Sequence, residues 1–575
     1  MLHLASIGLI VIHALSAVAS PNSQTLGVEF GSTPKSLPIL TLPYGRWRAA
    51  SYDSVNDIYT FKNIRFAAPP TGNLRWAKPA PPALNRTIQD GSYGNACPQG
   101  TPPGAPGDFT GGAEDCLFLD LYVPRHALNN PSLKLPVTVW TYGGAYIFGS
   151  KDGPFTGNGP IAISGGKMIF MTYNYRVGSF GFLAGTTMEK QGLPNAGFYD
   201  QRAAYQWVQN YISLVGGDPA QVTAWGESAG AGSILHHITA FGGKQDPLFR
   251  KVVMQSIASE ILVDRRGEVE SFYQEFLNAS GCAGQTIACL RSAPLATLVA
   301  ANQKVTSNVG PSAFKPGPAA DGAWVRQMPA LELASGNYFA GITSLILSHV
   351  SNEGFVFVDG EIQTDPAFAN LVNFIIPPYA PTLRTAVVNF YPSPNTPGSP
   401  YPTQNDRTIQ YLDDTNFLCN LRYLNNVFQG KTWTIQYGIP PGFHSDDLTP
   451  TFYNGSGAAT STLDAIYKDY QSYLVSLSTT RNPNTHRNTA NNPATINWPH
   501  TTGQQQEQLS NVLNVGGTEF TLITNPEPLK SHCDFFLNVQ AAVTLAGGYV
   551  PPGGAVANNL GITNPHPSAN YTTHR

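Results

Sequence analysis

Charge is scarce in this sequence: Asp, Glu, Lys and Arg together make up 12% of its 575 residues, against about a quarter in an ordinary soluble domain. The 33 basic and 36 acidic side chains leave a net charge of −3. With no field of one sign over the surface, nucleic acid is excluded as an expected partner. Beyond the first 20 residues no apolar run approaches the length needed to cross a bilayer, which excludes a transmembrane anchor in the body of the chain. Neither a CxxC spacing nor a cluster among the 12 histidines is present, so no metal site is expected. Residues 21–540 contain no internal repeat and no clean linker, which argues for one large domain rather than a string of modules.

What is plentiful is glycine (56) and proline (47), spread among apolar runs in a chain with 11% aromatic residues. That mixture fits a folded, loop-rich protein and not a disordered one. Residues 1–20 form a short apolar core ending in Ala17-Val18-Ala19, a small-x-small pattern that predicts a secretory signal cleaved after Ala19 or Ser20. Six cysteines suit the oxidising compartment that follows. Their positions suggest two local pairs, Cys97 with Cys116 and Cys282 with Cys289. Cys419 and Cys533 remain, either as a third, long-range pair or as two buried thiols. Asn85, Asn278, Asn454 and Asn570 head N-x-S/T sequons and are glycosylation candidates in an exported chain. The segment after residue 545, with Pro551-Pro552-Gly553-Gly554 and many Asn, reads as an irregular tail to residue 575.

Seven apolar runs of strand length lie at 117–123, 137–142, 168–173, 222–225, 252–255, 344–350 and 432–437. Runs this apolar imply strands buried on both faces of a sheet. Between two of them, Ala204, Trp207, Val208, Tyr211, Ile212 and Val215 fall on one helical stripe that stops at Gly216-Gly217-Asp218-Pro219. Strands alternating with helices predict an α/β fold with a large, mostly parallel central sheet flanked by helices and carrying long loop insertions.

The sharpest local signal is Val222-Thr-Ala-Trp-Gly226-Glu227-Ser228-Ala229-Gly230 followed by small and apolar residues. This is strand, then GxSxG, then helix. A serine on so tight a turn has its Oγ presented at the carboxyl end of the sheet and at a helix N-terminus whose dipole favours developing negative charge. A bare GxSxG also arises as an ordinary glycine-rich turn with an N-cap serine; the flanking strand and helix are what favour a nucleophile.

Serine needs a base. In the chain order of α/β-hydrolases an acid and then a histidine follow the nucleophile. His3, His13 and His126 precede Ser228, His236 and His237 lie on the helix behind it, His349 sits inside an apolar run, and His566 and His574 are in the tail. Of His444, His486, His500 and His532, only His444 directly follows a strand-like run through a Pro/Gly loop, the kind of place where catalytic groups reside. Glu353 follows the 344–350 run in the same way, with Asp359 as rival. A carboxylate there would accept from imidazole Nδ1–H and stabilise the imidazolium as it forms. A solvated loop charge is the plainer reading of either residue.

Longer blocks point to a family. The runs Phe61-Lys-Asn-Ile-Arg-Phe-Ala-Ala-Pro-Pro-Thr-Gly72-Asn-Leu-Arg75-Trp76, Glu114-Asp-Cys116-Leu-Phe-Leu-Asp120, Asn174-Tyr-Arg176-Val-Gly-Ser-Phe-Gly and Asn195-Ala-Gly-Phe-Tyr-Asp200 together with the elbow resemble the type-B carboxylesterase and lipase family, the α/β-hydrolases that include cholinesterases and fungal lipases. The resemblance covers roughly residues 25–540. It implies the α/β-hydrolase fold, a Ser228–Glu353–His444 triad, no cofactor, and an ester, small-molecule or lipid, as partner. Tyr142-Gly143-Gly144-Ala145-Tyr146 is similar to the family's glycine-rich oxyanion loop, which implies backbone donors from Gly144, Ala145 and Ala229. Ala145 stands where a third glycine is usual. The resemblance also implies a Cys419–Cys533 disulfide, and structural ion pairs for Arg75 with Glu114 and Arg176 with Asp200.

Interfacial lipases of this family carry an amphipathic lid between their first two cysteines. Here that stretch reads PQGTPPGAPGDFTGGAED, and one Phe among glycines and prolines cannot present an apolar helical face. The expectation is therefore a secreted serine esterase on soluble or short-to-medium acyl esters, with a triacylglycerol lipase as alternative. A non-catalytic, adhesion-type relative is a further reading, which the presence of all three triad candidates disfavours.

Overall fold

The computed structural model describes residues 26–29, 37–103, 107–259, 262–309, 314–458, 460–490 and 495–547. The expected signal segment, Asn570 and nearly all of the expected tail lie outside them.

All seven apolar runs become strands of one eleven-stranded sheet. In chain order its strands are β1 (Ser51–Asp53), β2 (Ile58–Arg65), β3 (Phe118–Pro124), β4 (Leu135–Thr141), β5 (Ile169–Tyr173), β6 (Gly217–Glu227), β7 (Lys251–Gln255), β8 (Ser344–Val350), β9 (Thr432–Tyr437), β10 (Val512–Val515) and β11 (Phe520–Ile523). Across the sheet they run β11-β10-β9-β8-β7-β6-β4-β5-β3-β2-β1. The seven from β10 to β5 are parallel, while β11 at one edge and β3, β2 and β1 at the other pair antiparallel. A separate four-stranded sheet, 27–29, 39–42, 45–48 and 85–89, packs at the amino-terminal end.

Successive side chains of a strand face opposite sides, and the two faces are packed by different helices. Val137, Val139, Ala224, Val252, Met254, Leu345 and Leu347 point to the side covered by α1 (Ala196–Tyr211) and α2 (Ala229–Gly243). Their neighbours Trp140, Trp225, Val253, Ile346 and Ile435 pack against α3 (Ser461–Thr480). Burial on both faces is why these strands read as continuous apolar runs.

The stripe expected over 204–215 belongs to two elements: α1 carries it to Tyr211, and Ile212–Val215 tighten into a 3-10 turn before left-handed Gly216. The cysteines form Cys97–Cys116, Cys282–Cys289 and Cys419–Cys533 bridges. The last joins the middle of the chain to α4 (Lys530–Ala546). Two buried ion pairs lock segments that no strand holds. Arg75 is bidentate to Glu114 at 2.6 and 2.8 Å and donates to the carbonyls of Leu290, Arg291 and Ala293. Arg176 is bidentate to Asp200 at 2.6 and 2.7 Å.

Candidate active site

Ser228 sits between the end of β6 and the start of α2 with φ 55° and ψ −128°, a conformation that costs a non-glycine residue on the order of 1–3 kcal/mol. Its surroundings hold it there. The Ser228 amide donates to Gln255 O at 2.9 Å, and its carbonyl accepts from Gly232 and Ala258. The two glycines of the motif are required by space: a Cβ on Gly226 would lie 2.6 Å from the Gly230 carbonyl carbon, and one on Gly230 would lie 2.0 Å from Thr141 O. Helix α2 thus leaves the sheet in contact with β4, with the serine at the apex.

The loop after β4 crosses in front of this apex. A Cβ on Gly143 would come within 2.8 Å of Ser228 Cβ. Gly144 has φ +96°, and Ala145 and Tyr146 take φ of 52° and 62°, two successive left-handed non-glycine residues. Tyr146 is pinned, its hydroxyl donating to Ala258 O and its carbonyl accepting from Gly178. Ala145 and Ser228 line the same cavity of about 570 Å³, whose other walls include Leu262, Phe314, Phe357 and Phe417. Ala229, buried, begins α2.

His444 follows β9 through the loop 438–443, and Glu353 follows β8. The two loops are stitched together, Asn352 N donating to Gly442 O at 2.9 Å and Asn352 Nδ2 to Pro441 O at 2.6 Å. This brings His444 Nδ1 to 2.7 Å from Glu353 Oε2. The other carboxylate oxygen accepts from Val350 N at 3.0 Å, and the side chain is 1% exposed. Asp359, the rival acid, lies further along in a half-buried turn and accepts from Glu361 N. Phe357 and Phe417 flank the imidazole with ring centroids 4.9 and 4.8 Å away.

A group not singled out in the sequence completes the site. Glu227, 3% exposed, puts Oε1 at 3.2 Å from His444 Nε2 and accepts from Ser445 Oγ at 2.6 Å. Behind it Asp447, fully buried, accepts from Gln255 Nε2 at 2.8 Å and Ser348 Oγ at 3.3 Å. Burial works against a charged His444, but the carboxylates of Glu227 and Glu353 outweigh it and lift its pKa to about 9. Burial raises Glu227 and pushes Asp447 up to about 7. The GESAG run displays Glu227 openly; that its carboxylate turns back toward the histidine depends on the tertiary fold.

Of the remaining sequence candidates, Asn85, Asn278 and Asn454 are exposed. Among the described residues no group of three or more His, Cys, Asp or Glu could hold a metal ion, and no helix is long and apolar enough to cross a membrane.

A sheet of this topology, with a strained serine at the β6–α2 turn and a carboxylate-bound histidine that faces the serine's chain neighbour Glu227, marks a serine hydrolase of the α/β-hydrolase fold. Residues 36–525 match the model of the carboxylesterase family. The chain is 38% identical to a "Secreted lipase" of Arthroderma benhamiae, over 92% of this chain and 97% of that protein. It is 32% identical to "Carboxylesterase patB" of Aspergillus clavatus, over 79% and 90%. Among solved structures, EstA of Aspergillus niger superposes with a TM-score of 0.74 at 26% identity, covering 89% of this chain and 99% of that one. The chain belongs to the carboxylesterase family and is a serine carboxylic-ester hydrolase.

Proposed function

We propose that Ser228, His444 and Glu353 carry the chemistry and that the preferred substrates are soluble esters of short-to-medium acyl chains, met outside the cell. The observation that carries the catalytic assignment is the 2.7 Å His444–Glu353 hydrogen bond beside the cavity that Ser228 lines. Ser228 Oγ attacks the ester carbonyl carbon as its proton passes to His444 Nε2. The tetrahedral oxyanion is held by the amides of Gly144, Ala145 and Ala229. Collapse breaks the bond to the alkoxide, which takes the proton from His444 and leaves. Water then attacks the acyl-enzyme through the same base, freeing the acid and restoring Ser228. Glu353 keeps the proton of the neutral imidazole on Nδ1, so that Nε2 is the basic nitrogen.

The Cys97–Cys116 loop supports the acyl preference. Its described residues form no helix, and its one large apolar side chain, Phe109, stacks on Phe148 at 4.3 Å instead of offering a face to an oil surface. Three disulfides and the signal-like start of the sequence support export, and the relative named a secreted lipase is in keeping with it.

The test is the initial rate on p-nitrophenyl esters from acetate to palmitate, with Ser228→Ala in parallel. Rates should peak among the short-to-medium esters and vanish in the variant, which should keep its melting temperature. A steady rise toward palmitate, or activation by emulsified long-chain triglyceride, would establish the lipase reading instead. Turnover by Ser228→Ala would remove the assignment of the nucleophile.

A further inference from the structure

A second cavity, of about 830 Å³, adjoins the one at Ser228. The two share Leu262 and Asn416 as lining residues, so these side chains form the partition between them. The inner cavity reaches from that partition to α4, and most of its wall is aliphatic or aromatic, including Val263, Ile376, Phe536 and Val539.

Ser259, Thr415 and three amides, Asn416, Asn420 and Gln540, break that apolar wall, and two of the amides have an unpaired oxygen. Asn416 is 8% exposed, and its Oδ1 is buried with no hydrogen-bond partner among the described residues. Gln540, on α4, has its Oε1 buried in the same condition and lines the same cavity. Buried amide oxygens are ordinarily paired, because leaving one unpaired forfeits its hydration without return. Asn416 is moreover held at this place by its backbone, its carbonyl accepting from Ser259 N at 3.3 Å and Asn420 Nδ2 at 2.9 Å. It lies on the π-helical segment Asp413–Leu418, a distortion common at functional sites. The next residue, Phe417, packs on the His444 ring. The cavity also touches Lys315 and Glu268, which pair with each other.

We propose that the inner cavity is a subsite for the distal part of the acyl group, and that Asn416, aided by Gln540, selects acyl chains carrying a hydroxyl there. The proposal rests on Ser228 being the nucleophile. A hydroxyl fits a carboxamide in either orientation, since it can donate to the oxygen and accept from the NH₂. The aliphatic wall takes the methylenes between ester and hydroxyl. A plain alkyl chain would fill the same space while leaving the amide oxygens unpaired, the kind of mismatch by which polar-lined sites reject analogues that lack the matching group.

The experiment compares kcat/KM on p-nitrophenyl ω-hydroxyalkanoates and on n-alkanoates of equal length, hexanoate through dodecanoate, for the wild type, Asn416→Leu and Gln540→Leu. At one or more lengths the wild type should favour the hydroxylated ester by about tenfold or more, about 1.4 kcal/mol. Asn416→Leu should bring that ratio to one or below, because leucine keeps the volume and removes both polar atoms, and Gln540→Leu should lower it in part. A wild-type ratio of one or less at every length, as a wholly apolar wall would give, overturns the proposal; so does a ratio that survives Asn416→Leu. If Asn416→Leu does not fold, the wild-type ratio and Gln540→Leu decide. Absence of turnover on both ester series would instead count against the Ser228 reading, so the two failures are distinguishable.

Discussion

His444 lies between two carboxylates, and in the proposed mechanism their balance sets the pH at which it can accept a proton from Ser228. Glu353 binds Nδ1 and Glu227 faces Nε2, and together they raise the imidazole to about 9 against the opposing effect of burial. The acid limb of kcat/KM, which reports the free enzyme's base, should therefore still be climbing above pH 8. Glu227→Gln keeps the shape and removes the charge that most favours the imidazolium, so its acid limb should move to lower pH in a profile measured on p-nitrophenyl butyrate. An unmoved limb would mean that Glu227 is already protonated in the resting enzyme. Glu353→Gln acts differently: the amide donates to Nδ1 and enforces the wrong tautomer, and kcat should fall by roughly 10³–10⁴-fold across the profile. At this scale Ser228 and Gly230 were legible because each answers a local steric demand, and His444 and Glu353 because each follows a strand. Glu227, Ser445 and Asp447 were not, since nothing local says toward which group a buried side chain will turn.

Among elements, the parts tied by buried charge are those that periodicity could not reveal. Helix α1 begins at Ala196, well before the apolar stripe at Ala204. Its first turns bury Asp200 and Gln201, and a Cβ on Gly197 would lie 2.6 Å from Arg176 O. A turn held by an Arg176–Asp200 pair and close backbone packing shows no hydrophobic period. The Arg75–Glu114 pair does the same work between the 3-10 turn at Gly72–Leu74 and the loop closed by Cys97–Cys116, while Arg75 also donates to the Leu290, Arg291 and Ala293 carbonyls just past Cys289. Arg75→Met leaves the Glu114 carboxylate buried without its counter-charge and should cost about 3–5 kcal/mol, whereas adding Glu114→Leu should recover much of it. Apparent melting temperatures at one scan rate would show the single variant well below both wild type and double variant. Equal losses in single and double variants would show that the carbonyls served by Arg75, not the ion pair, matter most.

Over the whole molecule, the sequence disclosed the strands buried on both faces but neither their order nor the edges. β1 and β11 are short and partly exposed, and the insertion of β6 between β7 and β4 is fixed by crossovers that leave no local trace. The same burial that makes the inner strands conspicuous also traps titratable groups, and this has a consequence for stability. Between about pH 6.5 and 8 the folded chain retains protons that the unfolded chain has released. His444 holds one up to about 9, against 6.5 for a free histidine. His532 is lowered by burial but raised overall by its bond to Asp414. Asp447 and Glu527, pushed by burial to about 7, add to the lower part of that range. A folded state that binds more protons than the unfolded one loses stability as pH rises, by about 1.4 kcal/mol per pH unit for each full proton of difference. Lys251, which burial lowers to about 8, acts in the opposite sense but only above that pH. His236 and His237, depressed by burial to about 3, oppose the decline only near pH 6.5 and cease to do so by about pH 7.5, where unfolded histidine has lost its proton. The melting temperature should therefore fall from pH 6.5 to 8, and His444→Gln should flatten part of the decline. A wild-type profile flat over that interval would mean that His444 is neutral in the folded enzyme at pH 7, with its two carboxylates holding the charge between them.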